Sequence, residues 1–102
     1  MKHFIVAGIF NDPVPVPQSE VDRLLEGHKQ FIIGGVNAGR VLCAGPRTVG
    51  KGGFIILRAE SREELDGFLS TDPYMQNGIL HFEVTEFTPL DFQDRIADWA
   101  GR

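Results

Sequence analysis

Residues 2–10, Lys2-His3-Phe4-Ile5-Val6-Ala7-Gly8-Ile9-Phe10, form an apolar run that Asn11-Asp12-Pro13 closes with a turn signal. Successive side chains of a strand point to opposite faces. Phe4, Val6 and Phe10 therefore share one face, and Ile5, Ala7 and Ile9 share the other. Neither face is polar, so a strand here needs cover on both sides. Phe54-Ile55-Ile56-Leu57-Arg58-Ala59 makes the same demand over most of its length.

The chain between and beyond these strands supplies the cover. Pro13-Val14-Pro15-Val16-Pro17 can continue neither a helix nor a central strand and reads as an extended connector. After Ser19, Val21, Leu24, Leu25, His28, Phe31, Ile32 and Val36 follow helical spacing. Asp22 favours the positive N-terminus of that helix, and Gly39 fits its left-handed terminator, while Gly34-Gly35 weakens its final third. Residues 40–46 read as a short strand and 47–53 as a glycine-rich hairpin loop. Ser61 with Glu64 is a capping-box pattern opening a second helix whose apolar face is Leu65, Phe68 and Leu69. Asp72 and Pro73 start a further helical turn that Gly78 ends. Residues 79–88 read as the last strand, and Phe92, Ile96 and Trp99 space a tail expected to pack as a short helix.

The order is β-α-β-β-α-β. Short loops and right-handed crossovers favour an α+β, ferredoxin-like antiparallel sheet with two helices on one face. At 102 residues, with 42% hydrophobic and 24% charged, this is one domain, 1–102, with a core at 2–89 and a tail at 90–102. Two helices cover one side of four strands. The second apolar side predicts a homodimer packed sheet to sheet, because soluble monomers rarely expose so large a patch.

Ten basic against fourteen acidic residues give a net charge of −4, which disfavours nucleic acid and anionic membrane as partners. No apolar run reaches the ~18 residues of a membrane span. The N-terminal run is too short for a signal peptide, so a cytoplasmic protein is expected. Cys43 alone allows no internal disulfide and no cysteine-rich metal cluster, and it reads as a small core hydrophobe.

His28 lies near the centre of the apolar stripe and so faces the sheet. Histidine, with an ordinary pKa of about 6.5, exchanges a proton near neutrality at little cost. The plainer reading is a half-buried structural histidine bonded to a backbone carbonyl. Asp72 has its capping task, and beside His28 it would also fix the imidazole's tautomer. Tyr74, the only tyrosine, either packs or hydrogen-bonds an oxygenated substrate. His3 and His81, assigned to outer strands, have no ligand-like spacing with His28, so no metal site is expected. Gly50-Lys51-Gly52-Gly53 lacks the Walker A pattern and reads as a mobile hairpin.

Gly-His-Lys-Gln-Phe (27–31), Ala-Gly-Arg-Val-Leu-Cys-Ala-Gly-Pro (38–46), Ala-Glu-Ser-Arg-Glu-Glu-Leu (59–65), Thr-Asp-Pro-Tyr (71–74) and Glu-Val-Thr-Glu-Phe-Thr-Pro (83–89) together resemble the YCII-related (YciI-like) family. The resemblance implies a ferredoxin-like, dimeric α+β barrel related to muconolactone isomerase. Members are mostly small cytoplasmic proteins, and one branch dehydrochlorinates a chlorinated hydroquinone. The family's helix-one histidine maps to His28, and its aspartate before Pro-aromatic maps to Asp72. Two departures stand out: Leu25 replaces a polar residue, often Arg, and the Pro-rich connector and the tail 91–102 extend beyond the family core. Residues and resemblance together point to a cofactor-independent isomerase or lyase for a small cyclic or aromatic oxygenated molecule. His28 would be the acid/base, Asp72 would hold it, and Tyr74 would contact the substrate. The pocket would lie between helix one, the sheet and the partner copy. The alternative is a non-catalytic small-ligand-binding or assembly module, in which His28 is structural and the tail docks on another subunit. A haem-degrading enzyme has only the fold in its favour.

Overall fold

The apolar run at the N-terminus forms β1 (Lys2–Phe10), an inner strand of a four-stranded antiparallel sheet, in a computed structural model that describes residues 1–101. Around it come α1 (Gln18–Asn37), β2 (Val41–Pro46), β3 (Gly53–Ala59), α2 (Arg62–Leu69), α3 (Pro73–Gln76) and β4 (Leu80–Phe87). The sheet order is β2-β3-β1-β4, with β1 antiparallel to both β3 and β4. This is the ferredoxin-like arrangement expected from the element order. No helix among the described residues is long and apolar enough to cross a membrane.

The register explains why both long strands are apolar throughout. Phe4 pairs with Leu57 and Val6 with Ile55, and all four are buried beneath Phe31 of α1 and Leu65 and Leu69 of α2. Each such buried side chain contributes about 1.5–3 kcal/mol. A second cluster joins Val21, Tyr74, Ile79 and Leu80, with Val14 and Val16 of the Pro-rich connector packed on it. The opposite face carries Ile5 against Ile56, with Phe54 diagonal to them. Ile5 is 40% exposed and Phe54 50%.

The caps follow the sequence with two local changes. α1 begins one residue before Ser19: Pro17 holds the N-cap position without a side-chain bond, and Asp22 accepts from Gln18 Nε2 at 2.9 Å. Gly39 ends α1 at φ +76°, with Gly39 N donating to Val36 O and Arg40 N to Gly35 O. Ser61 accepts from Glu64 N at 3.1 Å, as in a capping box. The return bond is displaced: Glu64 Oε2 accepts from Glu60 N and Oε1 from Arg40 Nη1 at 2.5 Å.

Four expectations are corrected. Leu25 and Val36 of the helical stripe are exposed rather than buried. Cys43 is exposed, because β2 is an edge strand whose irregularity between Val41 and Cys43 turns the thiol away from the helices. His3 lies on inner rather than outer strand pairing, since β1 is flanked on both sides. The tail forms only a 3-10 turn at Asp94–Ile96 and then folds over the open face. There Trp99 meets the His3 ring edge-on at 4.8 Å, and its carbonyl accepts from His3 Nε2 and Arg58 Nη1. Arg102, the last residue assigned to that tail, lies outside the described residues.

Candidate active site

His28 and Asp72 are 44 residues apart in sequence and meet at the junction of α1 with α3. What lets the two helices close is Gly27. A Cβ there would stand 3.0 Å from Pro73 Cγ, so a side chain would push back the residue that follows Asp72. Asp72 is fully buried. Its Oδ1 caps α3 by accepting from Tyr74 N at 3.0 Å and also lies 2.8 Å from His28 Nδ1. Oδ2 has no hydrogen-bond partner among the described residues. A carboxylate only accepts, so the partner assigns the proton to Nδ1 and leaves the lone pair of the neutral ring on Nε2.

Tyr74 fixes the imidazole from the side. The two rings stack with centroids 4.4 Å apart and 9° between planes. The Tyr74 hydroxyl donates to Val21 O at 3.3 Å, and Phe10 meets the ring edge-on at 5.9 Å. Burial first, then the charges of Asp72 and Asp22, push the phenol above its ordinary pKa. Tyr74 is thus a buried brace for the imidazole, its ring face on His28 and its proton engaged inside the protein.

A cleft of about 540 Å³ opens between α1 and the helix-covered face of the sheet, with loop 47–52 as its lip. That volume suits a small molecule. His28, Tyr74, Phe10, Ile32 and Phe82 are among its walls, and the His28 side chain keeps 25% of its exposure. Leu25 is exposed because it too stands at this cleft. The cleft lies on the helix side of the sheet. Sequence reading missed Lys29 and Lys51, which also line it. Lys29 follows His28 directly, and Lys51 sits between two glycines whose φ values, +88° and +89°, are a backbone signal rather than a sequence motif. The other candidates lie apart. His81 bonds Asn11 Oδ1 at 2.6 Å on β4, His3 lies under the tail, and Cys43 is on β2.

A ring nitrogen open to a cleft, with a buried carboxylate on the opposite nitrogen, is an arrangement that can serve as an oriented base. No curated protein matches the sequence. Among solved structures, the 5-chloro-2-hydroxyhydroquinone dehydrochlorinase TftG from Burkholderia phenoliruptrix AC1100, in complex with 2,5-dihydroxybenzoquinone, superposes with a TM-score of 0.65. The two share 19% identity over 83% of this chain and 92% of that one, a likeness of fold. The family model of the YCII-related domain matches residues 4–88. That match spans most of the sequence, and the chain belongs to the YCII-related domain family.

Proposed function

We propose that this protein is a cofactor-independent lyase or isomerase acting on a small cyclic or aromatic oxygenated molecule, with His28 as general acid/base and Asp72 as its positioning partner. The observation that carries the reading is the His28 Nδ1 to Asp72 Oδ1 bond of 2.8 Å behind an imidazole that lines a cleft. Nε2 takes a proton from substrate carbon or hydroxyl. In the keto tautomer of a hydroquinone, where a proton moved from a hydroxyl makes the carbon bearing the leaving group tetrahedral, the electron pair left behind forms a new double bond and a leaving group such as chloride departs with its own bonding pair. In an isomerisation the imidazolium instead returns the proton to another atom. Asp72 holds the ring in one orientation throughout, and Tyr74 packs flat against it. One positioned base of this kind contributes about 10²–10⁴-fold. The dehydrochlorinase likeness supports elimination as the first reaction to try. A homodimer in the cytoplasm completes the proposal, the partner covering the open sheet face.

The test is chloride release from 5-chloro-2-hydroxyhydroquinone. The wild type should release chloride, and His28→Asn, checked for a native circular-dichroism spectrum, should lose about 10²–10⁴-fold of the rate. No release by the wild type removes the dehydrochlorinase reading. Equal release by the variant removes His28 from the chemistry. The rival reading, a binding module, gains if ligands bind the cleft without turnover.

A further inference from the structure

The charge lining the cleft is opposite in sign to the charge of the chain. The sequence carries fourteen acidic and ten basic residues. Yet Lys29 and Lys51 line the cleft, and no aspartate or glutamate does. The Asp72 carboxylate stands behind His28 and is bonded to it. Neither lysine makes an ion pair among the described residues. Lys51 Nζ instead lies 5.7 Å from the centroid of the Phe10 ring, a weak contact that an anion would displace.

The position of Lys51 is fixed by backbone. Gly50 and Gly52, on either side, have φ of +88° and +89°. A Cβ on Gly52 would lie 2.2 Å from Gly8 O, so the loop is pressed onto β1 in a way only glycine permits. Gly52 O accepts from Arg47 N at 2.9 Å, which closes the loop. A flexible-looking glycine run thereby places one cation at the lip, while α1 places the other beside the imidazole.

We infer that the cleft selects an anionic ring compound, its ring held between the apolar walls and its carboxylate, phenolate or enolate oxygen met by Lys51 and Lys29. This deepens the proposed acid/base reading by naming the charge of the substrate, and it rests on that reading only for turnover, not for binding. The probes are 2,5-dihydroxybenzoate and its neutral isostere 2,5-dihydroxybenzamide, titrated by isothermal calorimetry at low and high salt. The wild type should bind the benzoate more tightly, with a preference that shrinks as salt screens the charges. Lys51→Met and Lys29→Met should each weaken benzoate binding by about threefold to tenfold and leave the benzamide unchanged, as removal of a half-screened ion pair does. Lys51→Arg should keep the preference. Equal binding of the two probes to the wild type overturns the inference, as does an unchanged preference in the double Lys→Met variant or binding of neither probe at millimolar concentration. His28→Asn separates the two readings: it should keep the anion preference even where turnover is lost.

Discussion

One oxygen of Asp72 serves two partners, the backbone N–H of Tyr74 that it caps and the ring nitrogen of His28 that it orients. On the proposed reading, structure and chemistry are superimposed at this residue, and substitutions that keep shape but not charge can part them. In Asp72→Asn the amide oxygen can still accept both bonds, so the helical turn should hold and the melting temperature should stay close to that of the wild type. The negative charge that faces the ring is gone, and on the proposed reading turnover should fall at least tenfold. Asp72→Ala removes the cap as well and should cost about 0.5–2 kcal/mol of stability. Thermal melts of both variants beside their rates decide the matter: if Asp72→Asn keeps both the melting temperature and the rate of the wild type, Asp72 is only a cap. The two halves of the site were readable separately, His28 from the inward helical stripe and Asp72 from the Asp-Pro start. Their meeting was expected only through the family resemblance, because it depends on Gly27 letting Pro73 approach, a packing fact with no local pattern. The two cleft lysines were hidden for a similar reason, since an exposed Lys, on a helix as at 29 or in a glycine loop as at 51, looks like any solvated charge.

Among the elements, α2 shows how a local signal is altered by its surroundings. Ser61 caps as its spacing foretells, but Glu64 reaches past the cap to Glu60 N and also accepts from Arg40, the residue just before β2. These bonds, the Arg40 one foremost, hold the Glu64 carboxyl below its ordinary pKa. A lowered folded value means that the unfolded chain binds the proton first. Its stabilising contribution is therefore complete above the ordinary glutamate value of about 4.3 and fades as pH falls through the folded value. Glu64→Gln should accordingly lower the melting temperature at pH 7, and the gap from the wild type should close towards pH 3. Ser61→Ala should cost about 0.5–2 kcal/mol with little dependence on pH. A Glu64→Gln penalty equally large at both ends of the range would refute the ionic account. Ends of elements were legible because caps are short-range chemistry: Gly39, Ser61 and Asp72 all act within four residues. The exposure of Leu25 and the irregularity of β2 at Cys43 were not, because a cleft mouth and an edge strand are decided by what lies across the fold.

At the scale of the whole molecule, the double apolarity of β1 and β3 is only half accounted for by the helices. Phe4, Val6, Ile55 and Leu57 are buried beneath α1 and α2, whereas Ile5 and Phe54 on the other face stay 40% and 50% exposed. The tail relieves this at one end, where Trp99 covers His3 and Arg58. It leaves the strip of Ile5, Ile56 and Phe54 open, with Cys43 paired beside it on β2. A sheet face of this kind is satisfied by a second copy of itself, since a two-fold axis brings the same patch to both sides. Light scattering at micromolar concentration should give about twice the 11.3 kDa chain mass. Ile5→Lys, which sets two like charges near the axis without touching the helix-covered core, should shift the protein towards monomer while its circular dichroism stays native. A wild type of 11.3 kDa at those concentrations would mean that the open face has some other use, and that the proposed reaction has to proceed without a partner.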